Sequence, residues 1–253
     1  MVSPVMVLGP YSVPGIGERR VRLHLPPHEG EGPPPLLVMF DGQNAFHDEP
    51  SYAGGWHLHT TAKKIATKKR LEPAIAAVDH GGTERIHELV PWPGARSQGK
   101  LDRLLDWMAD YLVPMLGKGF GVTPDVGQRI IGGSSLGGLA ALYAHHRRPE
   151  TFGGAMSMSP SLWVTGERIF EYVQSVPKPW TSRIYLDAGA LEAGGGMLRG
   201  AERMVALLRQ RGYTDDDLRF RKDARGRHSE KDWRRRATPA LRFLLPAPKT
   251  RGR

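Results

Sequence analysis

Short apolar segments recur along the chain at the spacing expected of strands in an α/β protein. Residues 36–40 and 74–78 are continuous apolar runs of strand length, which is typical of strands covered on both faces. Residues 18–26 alternate polar and apolar side chains and predict an early antiparallel strand. Further strands are expected around Ile130 and over 153–160, 183–189 and 218–220.

Helical patterns separate these strands. Apolar residues between Leu101 and Met115 follow the 3.6-residue repeat of an amphipathic helix. Other helices are predicted over about 56–70, after residue 135, and over 167–174, 197–211 and 232–245. Alternating strands and helices indicate an α/β protein with a mostly parallel central sheet and helices on both faces. The chain shows neither a linker nor an internal repeat, so residues 1–253 are interpreted as a single domain.

A serine between glycines stands near the middle of the chain. The segment Gly133-Ser134-Ser135-Leu136-Gly137 follows an apolar run and precedes a helix-forming segment. This G-x-S-x-G pattern, at a strand–turn–helix junction, is typical of a nucleophile elbow, where strand and helix approach too closely for flanking side chains. The helix N-terminus also supplies unpaired N–H groups near a developing oxyanion. Ser135 is therefore the candidate nucleophile.

A catalytic serine needs a base within hydrogen-bond reach and an acid that orients the base. In α/β-hydrolases these groups follow the order nucleophile, acid, histidine. Of the ten histidines only three follow Ser135. His145 and His146 lie on the predicted elbow helix and point away from the turn, whereas His228 lies in a loop before the last helix. His228 is therefore the candidate base.

The acid is expected between the nucleophile and the base, at the end of a strand. Glu192 lies in the loop just past the strand at 183–189. Functional residues often occupy such loops at the carboxyl edge of a sheet. Asp187 lies inside that strand, where a carboxylate is expected to be structural. The acidic run 215–217 has the character of a solvated turn. Glu192 is favoured, and Asp187 stays open as the alternative.

Two backbone N–H groups are expected to form the oxyanion hole. One belongs to Leu136, the residue after the candidate nucleophile, and the other to the loop after an early strand. That loop is Asp41-Gly42-Gln43, which points to the N–H of Gln43. The chemistry predicted in this way uses neither a metal ion nor any other cofactor.

Composition restricts the kinds of chemistry and the cellular location that are expected of this chain. The 253 residues contain no cysteine, which excludes disulfides, thiol catalysis and thiolate metal ligands. The first ten residues do not resemble a signal peptide, and no apolar run approaches the roughly 18 residues that a membrane span needs. We therefore expect a cytoplasmic protein that has no membrane partner.

The chain is strongly basic, with a formal net charge of +10 at pH 7. Basic residues cluster at 63–70, at 219–236 and at 249–253. No nucleic-acid motif accompanies them and few aromatic residues lie among them, so solvated surfaces without a nucleic-acid partner are expected. A positive field can still attract anions. Arg225 and Arg227 beside His228 prompt the hypothesis that the substrate is an anionic small molecule.

Five segments of the chain resemble one esterase family of α/β-hydrolases. This family includes enterochelin esterases, S-formylglutathione hydrolases, feruloyl and acetyl xylan esterases, and mycolyltransferases. The matching segments are 37–44, 79–91, 132–138, 186–192 and 226–233, in the family's order. The resemblance implies an α/β-hydrolase fold, and by position it implies that Arg85 and Glu88 brace a loop below the site.

The same resemblance implies the catalytic roles residue by residue: Ser135 as nucleophile, Glu192 as acid and His228 as base, with the N–H groups of Gln43 and Leu136 as the oxyanion hole. These residues predict a serine esterase that cleaves a small-molecule carboxylic ester through an acyl-enzyme. Two alternatives stay open. One is acyl transfer to an alcohol, as in mycolyltransferases, and the other is a catalytically silent binding protein with a hydrolase fold.

Four aromatic residues fall in loops that are expected to ring the site. They are Trp56, Trp92 and Trp163, together with Phe46. An aromatic rim at these positions would suit an aryl or sugar ester. Ordinary packing in the core or on the surface is an equally good interpretation of the same residues. The sequence predicts neither the physiological ester nor the oligomeric state.

Overall fold

The computed structural model describes residues 4–27, 32–51, 53–67 and 71–245. The predicted basic clusters at 68–70 and 249–253 lie outside the described residues. Within these ranges the strands are β1 (Val5–Val13), β2 (Gly17–His24), β3 (Leu36–Phe40), β4 (Ala74–Val78), β5 (Pro93–Gly94), β6 (Ser97–Gln98), β7 (Arg129–Ser134), β8 (Gly154–Met158), β9 (Arg183–Gly189) and β10 (Leu218–Asp223).

The helices of the same ranges follow the predicted alternation with strands. They are α1 (Leu58–Ile65), α2 (Arg85–Glu88), α3 (Leu101–Trp107), α4 (Val113–Phe120), α5 (Leu136–Arg147), α6 (Arg168–Ser175), α7 (Gly196–Gln210) and α8 (Glu230–Leu244). A π-helical turn, Met108–Leu112, joins α3 to α4, so the amphipathic helix predicted from Leu101 onward is continuous but locally widened. No helix in the described part of the chain is both long and apolar enough to cross a bilayer.

Eight of these strands form one sheet, in the order β1-β2-β4-β3-β7-β8-β9-β10. β2 pairs antiparallel with β1 and β4, and the other neighbours are parallel, which confirms the predicted mostly parallel sheet. The sequence reading missed β1. Its register shifts between Leu8 and Tyr11, around the Gly9-Pro10 pair, so the strand lacks the clean alternation that marks β2.

Each face of the sheet carries its own apolar core beneath helices. Leu58 of α1 and Trp233 of α8 are buried on one face, whereas Leu104 of α3 and Leu139 of α5 are buried on the other. Every residue of β3 and β4 is buried, which accounts for their uninterrupted apolar sequences. Helices on both faces of the sheet are thereby confirmed.

The parallel strands bring their carboxyl ends to one edge of the sheet, where loops carry functional residues in folds of this kind. Residues 41–44 follow β3, Ser135 follows β7, Ser159 follows β8, Glu192 lies just after β9, and His228 lies beyond β10. The carboxyl edge of the sheet is therefore the candidate location of the functional site.

Candidate active site

Ser135 lies at the turn between β7 and α5 in a backbone conformation that side chains rarely adopt, with φ 57° and ψ −120°. Glycine is required near Ser135 because backbone segments pack closely together at this turn. A Cβ atom on Gly133 would lie 2.7 Å from the backbone of Gly137, and one on Gly138 would lie 2.7 Å from the carbonyl oxygen of Met158. The turn therefore has the geometry of a nucleophile elbow.

Backbone hydrogen bonds fix this elbow to the end of β8. The N–H of Ser135 donates to the Met158 carbonyl at 3.0 Å, and the Ser135 carbonyl accepts from the N–H of Ser161 at 3.0 Å. The hydroxyl of Ser161 also lies 3.2 Å from the hydroxyl of Ser135. The half-buried Ser135 side chain thus has a second hydroxyl beside it, which was not predicted from the sequence.

His228 connects Ser135 to Glu192. Its Nε2 lies 3.0 Å from Ser135 Oγ, and its Nδ1 lies 2.8 Å from Glu192 Oε2. An ionised carboxylate can only accept hydrogen bonds, so Nδ1 carries the proton and Nε2 presents its lone pair to the serine hydroxyl. The imidazole ring also meets Trp233 edge to face at 4.8 Å. The three residues proposed from the sequence therefore form one hydrogen-bonded chain.

Glu192 is 1% exposed and fully engaged by donors. Its Oε1 accepts from the N–H of Gly189 at 2.7 Å, from the Ser159 hydroxyl at 2.7 Å and from Arg236 at 3.3 Å. Burial alone raises the pKa of a carboxyl group, but the bonds from His228, Ser159 and Gly189 outweigh it, so the pKa of Glu192 is lowered. Glu192 is therefore held as a carboxylate.

Asp187, the alternative acid, has a different neighbourhood. It is completely buried, its Oδ1 lies 3.2 Å from Arg236 Nη1, and it accepts from the N–H of Ser159 at 3.2 Å. Burial raises the pKa of Asp187 to about 7, although Arg236 acts in the opposite direction. The structure places Glu192, and not Asp187, against His228.

The loop after β3 carries the second expected oxyanion donor. Hydrogen bonds of its 3₁₀ turn begin with the N–H of Asn44, which donates to the Asp41 carbonyl, so the N–H of Gln43 precedes the bonded part of the turn. Leu136 is the first residue of α5 and has no acceptor one turn earlier. Asp41 reaches this elbow: a Cβ atom on Gly137 would lie 3.1 Å from its carboxylate.

Ion pairs hold this loop from below, as the resemblance implied. Arg85 donates to both carboxylate oxygens of Asp41, at 2.6 and 2.7 Å, and Asp41 has a left-handed backbone with φ 59°. Glu88 accepts from Arg19 and from the N–H of Gly81. Bidentate pairs of this kind fix geometry as well as charge. Arg85 therefore braces the loop after β3, and Glu88 braces the loop after β4.

The expected aromatic rim needs correction. Trp56 is 3% exposed and packs on Trp233 in the core, and Phe46 is buried as well, because the chain after β3 folds inward under α1 and α8. Trp92 is half-buried between Tyr143 and Tyr172. Trp163 is 50% exposed, two residues beyond Ser161. Of the four aromatic residues, Trp163 is the one whose position suits a substrate contact.

The sequence reading did not find Ser159 or Arg236. Ser159 follows β8, and the rule that loops at the carboxyl edge carry function could have identified it. Arg236 is 4% exposed on α8, whereas its neighbours Arg234 and Arg235 are exposed. A run of three arginines gives no local signal that the third one is buried.

Comparison with known proteins identifies the family of this chain. Residues 16–244 match the family model described as "Putative esterase". The chain is 24% identical over 246 residues to the uncharacterized protein YbbA of Bacillus subtilis (strain 168), covering 90% of this chain and 93% of YbbA. It is 31% identical over 193 residues to the iron(III) salmochelin esterase of Escherichia coli O6:H1, covering 69% of this chain and 43% of that enzyme.

The fold has close counterparts among solved structures. The enterobactin esterase FES from Shigella flexneri, crystallised in the presence of 2,3-di-hydroxy-N-benzoyl-glycine, superposes with a TM-score of 0.75 at 21% identity. The superposition covers 96% of this chain and 59% of that protein. The predicted α/β-hydrolase fold is thereby confirmed. The chain spans about half the length of the two siderophore esterases compared here.

Proposed function

The chain belongs to this esterase family of carboxylic ester hydrolases, and we propose that it cleaves its substrate through an acyl-enzyme formed on Ser135. The observation that carries the proposal is the hydrogen-bonded chain from Ser135 through His228 to Glu192, with distances of 3.0 and 2.8 Å. A serine hydroxyl is a poor nucleophile at neutral pH unless such a base is in contact with it.

In the acylation step, Ser135 Oγ attacks the ester carbonyl carbon while its proton passes to His228 Nε2. The buried Glu192 carboxylate stabilises the imidazolium and keeps its ring oriented. The N–H groups of Leu136 and Gln43 donate to the oxygen that becomes negative in the tetrahedral intermediate. The bond to the leaving alcohol then breaks, and His228 gives its proton to the departing oxygen.

Deacylation repeats these steps with water as the nucleophile. His228 removes a proton from water as its oxygen attacks the acyl carbon, and then returns the proton to Ser135 Oγ as the acyl bond breaks. The acid leaves and the free enzyme is restored. His228 accepts and returns each proton that moves in these steps, so this chemistry needs no metal ion.

For the substrate, we propose an anionic ester of siderophore type. Two observations support this class. The 31% identical relative is named for salmochelin, and the exposed Arg225 and Arg227 precede His228 in the loop that carries the base. Trp163, half exposed near Ser161, offers an aromatic surface on which a benzoyl ring can stack. The substrate class is tested separately from the mechanism.

The mechanism is tested by hydrolysis of p-nitrophenyl acetate and butyrate. We expect activity in the wild type, loss in Ser135→Ala, a steep fall in Glu192→Ala and little change in Asp187→Ala, with circular dichroism to verify folding. Labelling by a fluorophosphonate should depend on Ser135. A folded wild type that neither hydrolyses these esters nor reacts with the probe contradicts the mechanism and favours the silent binding protein.

The acceptor and the substrate need a second assay. Wild-type enzyme is incubated with iron(III) enterobactin and with a neutral aryl ester, with and without added alcohol, and the products are separated by mass. We expect the free acid as the main product and a rate on the anionic ester that falls as salt screens the basic loop. A dominant transesterified product indicates an acyltransferase instead.

A further inference from the structure

A cavity of about 780 Å³ lies at the β10 edge of the sheet, away from the proposed triad. Its walls come from the amino-terminal halves of β9 and β10, from the turn before β10 and from the last turns of α8. The triad, in contrast, lies beyond the carboxyl ends of the strands. The charged residues of the lining are four arginines and two aspartates: Arg183, Arg219, Arg221, Arg242, Asp215 and Asp216.

The arginines of this cavity have no carboxylate partners in the described part of the chain. Some arginines elsewhere on the protein do pair with acids, as Arg148 does with Asp106 at 2.7 Å. Among the described residues, Arg183, Arg221 and Arg242 pair with no carboxylate, and Arg219 lies over the ring of Phe243 at 5.2 Å. One of the two aspartates, Asp215, is already paired with Arg209 outside the lining.

The charge of the lining therefore favours anions. Four guanidinium groups against two carboxylates leave a net charge of +2, and the pairing of Asp215 reduces the negative contribution further. Phe220, Phe243 and Pro239 form apolar walls next to these groups. Arg219, Arg221 and Arg242 are exposed, so their guanidinium groups are accessible to an anion from solvent.

We propose that this cavity binds a multiply charged oxyanion of the phosphate type. Phosphate monoesters carry close to two negative charges at neutral pH and offer several acceptor oxygens, which matches the net charge and the many donors of the lining. Guanidinium groups bind such oxygens through paired N–H donors. Binding here is independent of the ester chemistry.

Calorimetric titration of the full chain with sodium pyrophosphate tests the site. We expect saturable binding to the wild type and a dissociation constant raised about tenfold or more in Arg221→Gln/Arg242→Gln. The matched control is Arg20→Gln/Arg96→Gln, which removes the same charge from exposed positions outside the cavity and should change the constant by less than about twofold.

Absence of saturable binding to the wild type overturns the proposal. Equal weakening in both double variants also overturns it, since that result indicates attraction by overall charge only.

Discussion

The hydroxyl of Ser159 lies 2.7 Å from Glu192 Oε1 and attaches the acid of the proposed triad to the end of β8. The hydroxyl oxygen of Ser159 in turn accepts from Trp233 Nε1 at 3.0 Å and from Arg236 Nη2 at 2.9 Å. A hydroxyl group has one proton and two lone pairs, so the bonding capacity of Ser159 is filled. Glu192 therefore depends on a residue that does not touch His228.

We predict that Ser159→Ala damages both stability and turnover. The change leaves the indole N–H of Trp233 without its acceptor and removes one donor from Glu192, at a cost of about 2–4 kcal/mol in the free energy of unfolding. Because Glu192 is less firmly held, kcat should fall about 10-fold or more with little change in KM. Denaturant unfolding and steady-state kinetics measure the two effects.

Ser157→Ala is the matched control for that prediction. Ser157 is buried on β8, two residues before Ser159, but its hydroxyl donates to the Gly138 carbonyl at 2.8 Å and does not reach the triad. Stability should fall by about 1 kcal/mol while kcat stays within about twofold. Equal losses of kcat in the two variants count against a positioning role for Ser159.

The two candidate acids should respond differently to neutral isosteres. Glu192→Gln replaces the acceptor of the His228 Nδ1 proton, favours the wrong imidazole tautomer, and should lower kcat by about 10³–10⁴-fold. Asp187→Asn removes a buried carboxyl group that contacts Arg236 and should change kcat by less than about tenfold. Steady-state kinetics at pH 8 measure both effects, and the reverse order of effects assigns the acid to Asp187.

Gly189 should not tolerate even a methyl group. A Cβ atom there would collide with the carbonyl of Gly226 and lie 2.6 Å from Glu192 Oε1, so Gly189→Ala must displace either the acid or the loop that leads to His228. We expect a loss of about 2 kcal/mol or more and a lower kcat. Thermal unfolding and initial rates measure these changes.

A glycine in open space provides the comparison. A Cβ atom on Gly119, in α4, would meet nothing within 4 Å, and its backbone is helical. Gly119→Ala should raise the free energy of unfolding by about 0.4–1 kcal/mol through a less flexible unfolded chain. If Gly119→Ala is destabilised while Gly189→Ala stays fully active, the packing around these two glycines differs from that of the structure.

Stability should fall as the pH drops below neutral. Burial lowers the pKa of His145 to about 3 and that of His146 to about 4, whereas both titrate near 6.5 in the unfolded chain. Between those values the unfolded chain binds more protons, so the stability present above pH 6.5 is lost as the pH falls toward 4. The two histidines should together lower the free energy of unfolding by about 2 kcal/mol between pH 7 and 5.5 in denaturant unfolding. Protonation of Asp187, whose pKa is raised to about 7, acts in the opposite direction over this range.

His146→Gln tests the origin of that slope. The variant removes one buried titrating group, and glutamine can still bond to the Leu142 carbonyl or to Tyr213, the two partners of His146. Its stability should depend on pH about half as steeply as that of the wild type. An unchanged slope assigns the pH dependence to other groups.

Local pattern was enough to predict much of the fold. β3 and β4 were placed correctly because strands buried on both faces need uninterrupted apolar sequence. The elbow was recognisable because the close approach of β7 and α5 restricts the flanking positions to glycine. Chain order then identified Glu192 and His228 as candidates, and the structure brings them together, although their catalytic roles stay predictions.

What the sequence could not reveal depends on contacts between distant segments. Arg236 is one of three adjacent arginines and is buried because α8 turns it toward two carboxylates on the β9 side. Trp56 was expected at the rim, yet α8 supplies Trp233 to cover it. Neither outcome has a signature within its own segment of chain.

His228 lies just before α8, and Arg236 lies on α8. The proposed base and the guanidinium group that contacts Glu192 are therefore carried by one segment of the chain. A ribosome releases a protein from its N-terminus, so Ser135 and Glu192 emerge before both of them. A nascent chain that has reached residue 225 carries the proposed nucleophile but not the proposed base. Under the proposed mechanism, esterase activity therefore begins only after α8 has been synthesised and has docked, which makes activity a reporter of the docking of α8.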